Sequence, residues 1–152
     1  MARKARIDIP GGLYHVIARG NERGRIFRQE SDYSEFLSRL TRYLAETGHL
    51  FQDRYKAILC QEEEYLLEAT AYIHLNPMRA GLVKRYEDLE SYKWCGHCEV
   101  IKGAKAHIID REYLLSHFGE RTGAAISRYK VFLEERVGKY KTGEYSGGGL
   151  LN

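Results

Sequence analysis

Leu13 to Arg19 (LYHVIAR) is a run of β-branched and aromatic residues behind Pro10-Gly11-Gly12, and it predicts a strand. Gly20 to Gly24 reads as a turn. Phe36, Leu37, Leu40, Tyr43 and Leu44 then recur at helical spacing. Ser31-Asp32 is suited to cap this helix, with Glu35 three residues after Asp32, and Gly48 ends it. Arg54 to Cys60 (RYKAILC) predicts a second strand. From Glu62 to Leu75 the residues Tyr65, Leu66, Ala69, Tyr72 and Ile73 mark one stripe of a helix, which Asn76-Pro77 stops. Met78 to Val83 reads as a short turn or helical piece. Residues 92–107 lose the periodicity, with Gly96, Gly103 and scattered lysines, and read as a linker region. Asp110 is placed to cap a short helix that ends at Gly119. Thr122 is placed to cap a longer one carrying Ala125, Tyr129, Phe132, Leu133, Arg136 and Val137. The expected organisation is a domain over 1–91, a linker over 92–107, a helical extension over 108–138 and a flexible tail over 139–152.

Composition narrows the class. In 152 residues, 43% are hydrophobic and 30% charged, which fits a globular chain that buries a core. No apolar run reaches the roughly 18 residues of a membrane span, and the basic N-terminus has no apolar segment of the secretory kind. Three cysteines argue against a disulfide framework and for a reducing cytoplasm. The net charge of +3 excludes a strongly cationic tail, but its distribution is uneven. Residues 1–28 carry seven basic groups against two acidic ones, whereas 61–75 carry four glutamates and no lysine or arginine. A basic N-terminal patch is a feature that attracts phosphate.

Three segments carry a resemblance: Pro10 to Phe27, Asp32 to Gly48, and His49 to Val83, the last ending in YIHLNPMRAGLV. Together with the Arg19-Gly20-Asn21 turn they resemble the REP-associated tyrosine transposases, within the single-tyrosine HUH superfamily. The resemblance implies a ferredoxin-like α+β sheet and a substrate of single-stranded DNA with a foldback hairpin. It also implies a divalent metal such as magnesium or manganese, held by two histidines flanking one apolar residue, and a tyrosine that attacks the phosphate.

The sequence departs from that pattern where the chemistry resides. Its histidines are His15, His49, His74, His97, His107 and His117, and no two are separated by a single residue. Relatives carry central strands, the histidine pair and the tyrosine helix after the first helix. Here Glu46-Thr47-Gly48 runs straight into His49-Leu50-Phe51, as if an internal segment were deleted near 48–49. The expectation is a catalytically inactive, transposase-like DNA-binding protein with no catalytic residue, no metal ligand and no cofactor of its own. Its fold is expected to be α+β, the remnant of a ferredoxin-like sheet covered by helices, with a C-terminal helical hairpin. A non-enzymatic regulatory module and a non-functional remnant are the alternatives. Partners are expected to be single-stranded or hairpin DNA, with no membrane. An exposed strand edge would favour a homodimer.

The DNA-binding expectation falls on Arg19, Asn21, Arg23, Arg25, Arg54, Lys56, Arg79, Lys84 and Arg85. Arginines fork onto phosphates and stack on bases, and the amide of Asn21 can bond a base edge. Asn beside Gly is also ordinary turn chemistry. Tyr14 and Tyr55 could stack on bases, although strand packing is the simpler role. Tyr43, nearest the gap, lies on an apolar stripe and is expected in the core. His74-Leu75-Asn76 only superficially resembles a metal pair. Cys95-Gly96-His97-Cys98 has zinc-like spacing, with only Cys60 and His107 as helpers, and reads as reduced thiols. The last two helices could form a helix-turn-helix presenting Ser127, Arg128 and Lys130, though most such pairs are packing units.

Overall fold

Asn76-Pro77 and Gly81 shape the centre of the chain. Pro77, which lacks an N–H, sits near the start of a short helix over Asn76–Arg79. Gly81, at φ 71°, then ends that helix in the left-handed conformation. Its N–H donates to the Met78 carbonyl at 3.0 Å, and the Leu82 N–H donates to the Pro77 carbonyl at 2.9 Å. These two bonds satisfy the last carbonyls of the helix and drive Val83 back into the interior, where it is buried.

A computed structural model describes residues 13–17, 25–47, 56–60, 63–103 and 108–139. In chain order the elements are β1 (Leu13–Ile17), α1 (Glu30–Thr47), β2 (Lys56–Cys60), α2 (Glu63–His74) and α3 (Asn76–Arg79). They continue with α4 (Tyr86–Leu89), α5 (Gly96–Lys102), α6 (Arg111–Ser116) and α7 (Thr122–Glu134). Helix α1 is entered through Asp32, whose carboxylate accepts from the backbone N–H groups of Arg28 (2.8 Å) and Gln29 (3.1 Å). Asp32 therefore reaches back over the helix start instead of standing before it. Asp110 is the cap of α6, accepting from the Tyr113 N–H at 2.9 Å.

The core is helical. Ala71 and Leu75 of α2, Val83, Leu89 of α4, Val100 of α5, Leu114 and Leu115 of α6, and Ala125, Tyr129 and Leu133 of α7 form one buried cluster. Tyr86, Ile109, Phe118 and Phe132 pack around it. Arg136, just past α7, ties back to α2: its Nε donates to the Glu68 carboxylate at 2.8 Å, while its guanidinium lies 3.5 Å over the Phe132 ring.

This overturns the α+β expectation of a ferredoxin-like remnant. Among the described residues from 63 to 139 every regular element is a helix, and the buried cluster is drawn from these helices and the turns between them. β1 and β2 pair antiparallel with each other, Leu13 opposite Cys60 and Ile17 opposite Lys56, in a ribbon of two five-residue strands. Two strands make no layer for helices to cover. The helices instead cover one another. Residues 96–102, within the stretch read as a linker, form α5 and bury His97 and Val100 completely. Tyr43, expected in the core, is instead 45% exposed.

Candidate nucleic-acid interface

Arg19, Asn21, Arg23 and Arg54 lie outside the described residues, as do Tyr55, His49 and His107. Lys56 opens β2, opposite Ile17. The other four expected DNA contacts divide into two paired within the chain, of which Arg85 is still exposed, and two exposed without an ion-pair partner among the described residues.

Arg79 and Arg85 are held. The Arg79 guanidinium lies 3.7 Å over the Tyr72 ring, donates to the Tyr72 carbonyl at 3.2 Å and to Asn76 Oδ1 at 2.9 Å. It staples α3 onto the end of α2. Arg85 forms a two-pronged pair with Asp88, Nε to Oδ2 at 2.9 Å and Nη2 to Oδ1 at 2.7 Å. That pairing raises the guanidinium pKa and lowers the Asp88 carboxyl, and it cancels the Arg85 charge locally. Arg25 and Lys84 are exposed and have no ion-pair partner among the described residues. Lys84 stands on the rim of an open cleft of about 420 Å³, lined also by Leu82, Val83, Asp88, Ser91 and Tyr92. The turn at Gly81 positions it there: Val83 anchors inward and Lys84 projects outward.

The residues that a recognition helix would present are bonded within the chain. Ser127 Oγ donates to its own helix at the Gly123 carbonyl, 3.1 Å away. Arg128 Nη1 donates to the Phe118 carbonyl at 2.9 Å, bridging the turn between α6 and α7 across Gly119. Lys130 pairs with Glu90. The α6–α7 pair is a packing unit, with Leu114, Leu115, Ala125, Tyr129 and Leu133 on its inner side.

Two arrangements were not foreseen in the sequence. The first is buried. Tyr129 Oη bridges two imidazoles, lying 2.7 Å from His74 Nδ1 and 3.0 Å from His97 Nδ1. His74 ends α2, His97 lies in the first turn of α5, and both are buried. Burial drives the His74 pKa down to about 3, with the neighbouring His97 adding to the fall. Burial likewise takes His97 down to about 4, where the Glu90 carboxylate opposes the fall and Lys130 adds to it. Burial raises the Tyr129 hydroxyl well above the usual phenol range. All three groups are therefore neutral at ordinary pH. Gly96 is pressed against this node: a Cβ there would lie 2.5 Å from His74 Nε2 and 2.4 Å from Ile109 Cδ1. The Cys95 thiol donates to the His74 carbonyl at 3.7 Å, and burial raises its pKa, so it is held protonated. His74 and the Cys95–Cys98 motif thus meet through packing, and no three His, Cys, Asp or Glu side chains converge as metal ligands among the described residues.

The second arrangement is on the surface. The Tyr33 ring stacks on Trp94 at 5.0 Å and 26°, and Phe27 packs on Tyr33 at 4.6 Å and on Phe36 at 5.3 Å. Lys93 Nζ lies 4.6 Å from the Trp94 ring centre and also pairs with Glu30. The sequence signal was the single tryptophan next to a lysine, which helical periodicity does not register.

No family model matches this sequence, and no curated protein and no solved structure matches it either. Among the described residues, no helix is long and apolar enough to cross a membrane.

Proposed function

We propose that the chain is a DNA-binding protein of REP-associated tyrosine transposase descent, which takes single-stranded or hairpin DNA and does not cleave it. The supporting observation is Lys84. It follows directly on the YIHLNPMRAGLV phrase, and the Gly81 turn holds its uncompensated charge at the rim of a cleft. Such a group meets a phosphate without first breaking an internal ion pair. Arg25 is a second exposed cation of the same kind. Arg79 acts one step back, holding α3 so that the turn points correctly. The absence of cleavage rests on the missing His-x-His pair, and on His74, whose Nδ1 is bonded to Tyr129 inside the core. The compartment that goes with this reading is the cytoplasm, in keeping with the free thiols of Cys95 and Cys98.

The test is fluorescence anisotropy of a labelled hairpin DNA titrated with protein at several salt concentrations. Binding that weakens steeply with salt is expected, and Lys84→Glu lowers both the affinity and the salt slope, the latter by about one phosphate contact or more. Failure to bind at low salt refutes the proposal. A covalent protein–DNA adduct formed with magnesium or manganese refutes its non-cleaving part.

A further inference from the structure

The rings of Phe27, Tyr33 and Trp94 form a surface group separate from the helical core, since none of them packs against the buried cluster. They stay half-buried after stacking on each other, and beside them Ile26 is 50% and Phe36 39% exposed. An aromatic group left this open gains from a planar, apolar partner. The surrounding charge selects among such partners. Arg25 and Arg28 are exposed on the same short segment as Phe27, and neither has an ion-pair partner among the described residues. Lys93 borders Trp94, although Glu30 already compensates its charge. Planar rings beside the uncompensated Arg25, with Arg28 next to the Asp32 carboxylate, fit a ligand that is itself a row of planar rings on an anionic backbone.

We infer that Trp94, Tyr33 and Phe27 form a stacking platform for the unpaired bases of single-stranded DNA, with Arg25 and Arg28 taking the adjoining phosphates. The inference rests on the DNA-binding reading above and assigns it a base-contacting surface distinct from the Lys84 rim. Tyr92 connects the two. It lines the Lys84 cleft and stands two residues before Trp94 in the chain. A strand with its phosphates at Lys84 therefore has a short path to the platform. Stacking selects unpaired bases over duplex, whose bases already stack on each other, and it tolerates any base because every base has a π-face.

Trp94 is the sole tryptophan of the chain, so the emission of the unmodified protein reports on this surface alone. The experiment titrates the protein with an end-labelled oligothymidylate of about 15 nucleotides, reading anisotropy and tryptophan emission together. An abasic strand of the same length keeps the phosphates and removes the bases. The expected result is quenching of Trp94 with the same midpoint as the anisotropy change. The abasic strand should bind at least about fivefold more weakly, the least that one stacked base is worth, and leave the emission unaltered. Tyr33→Leu should weaken the oligothymidylate and leave the abasic strand unaffected. If the oligothymidylate binds while emission is unchanged and the abasic strand binds equally well, the platform is overturned and the DNA-binding reading stands. If neither these strands nor the hairpin binds at low salt, both are overturned.

Discussion

Replacing Tyr129 by phenylalanine removes one oxygen from the centre of the molecule and leaves the ring, so the packing of α7 against α2 and α5 is preserved. What is lost is the bridge: contacts of 2.7 Å to His74 Nδ1 and 3.0 Å to His97 Nδ1. Each ordinary hydrogen bond contributes about 1 kcal/mol net, and a buried polar atom left without a partner costs about 1–3 kcal/mol. The two imidazole nitrogens sit where water does not reach, so the expected loss is about 2–4 kcal/mol. That is a large share of the roughly 5–15 kcal/mol that holds a domain together. Tyr86→Phe is the internal comparison. It removes a single bond, from Tyr86 Oη to the Lys130 carbonyl at 2.9 Å, at a half-buried position, and should cost about 1 kcal/mol. The assay is urea unfolding at neutral pH, with an unchanged slope as the check that only stability moved. A Tyr129→Phe loss below about 0.5 kcal/mol, or no larger than that of Tyr86→Phe, would refute the bridging argument.

Acid should find the same node. Folded His74 and His97 titrate near 3 and 4, well below the usual 6.5, so the unfolded chain takes up their protons first. Stability is then full above about pH 6.5 and falls toward pH 4, by up to about 1.4 kcal/mol per pH unit for each histidine; a urea midpoint that is flat across that window would contradict it. Gly96→Ala forces a methyl against an imidazole fixed by its bond to Tyr129, and should cost about 1–3 kcal/mol; thermal unfolding within a degree of the parent would refute this. Arg136 and Glu68 should show a coupling of about 1 kcal/mol in a double-mutant cycle using Arg136→Met and Glu68→Gln. Their Nε–Oε1 distance of 2.8 Å across half-buried ground is the reason, and a coupling within error of zero would reduce the pair to a surface contact.

Some local punctuation was legible in the sequence. Asp110 caps α6 as its chemistry dictates, because a cap acts on neighbours within a few residues, whereas Thr122, read as the cap of α7, lies inside that helix, with Arg121 at the cap position and no side-chain bond there. Helix α1 runs Glu30–Thr47, close to the stretch its apolar spacing marked. Longer-range features were not legible. Helix α5 has seven residues and buries a histidine and a valine three positions apart, too short and too polar for periodicity to register. The stripe through Tyr43 had the right spacing, yet Tyr43 and Phe36 on it stay 45% and 39% exposed. The α+β reading came from the family resemblance, with two strand-like runs taken as the remnant of its sheet, whereas the buried cluster among the described residues is drawn from α2 and the elements after it. Of the nine residues expected to meet DNA, charge alone could not separate Lys84, which has no ion-pair partner among the described residues, from Arg85, which is equally exposed but pairs with Asp88 three positions on. Nothing in a single sequence brings His74 to Tyr129 across 55 residues.

The tyrosine between the two histidines has one proton to give and must receive another. It can donate to only one Nδ1, so the second imidazole has to carry its own proton on Nδ1 and donate back. The two rings are thereby required to be opposite tautomers. His97 Nε2 has no hydrogen-bond partner among the described residues. A bare lone pair is easier to leave unmatched there than an N–H. The order that follows is His97 Nδ1–H to Tyr129 oxygen, and Tyr129 O–H to His74 Nδ1. The centre of the protein thus has a polarity running from α5 through α7 to the end of α2, a direction the carbon skeleton alone does not specify, and nitrogen chemical shifts of the two rings would read it directly.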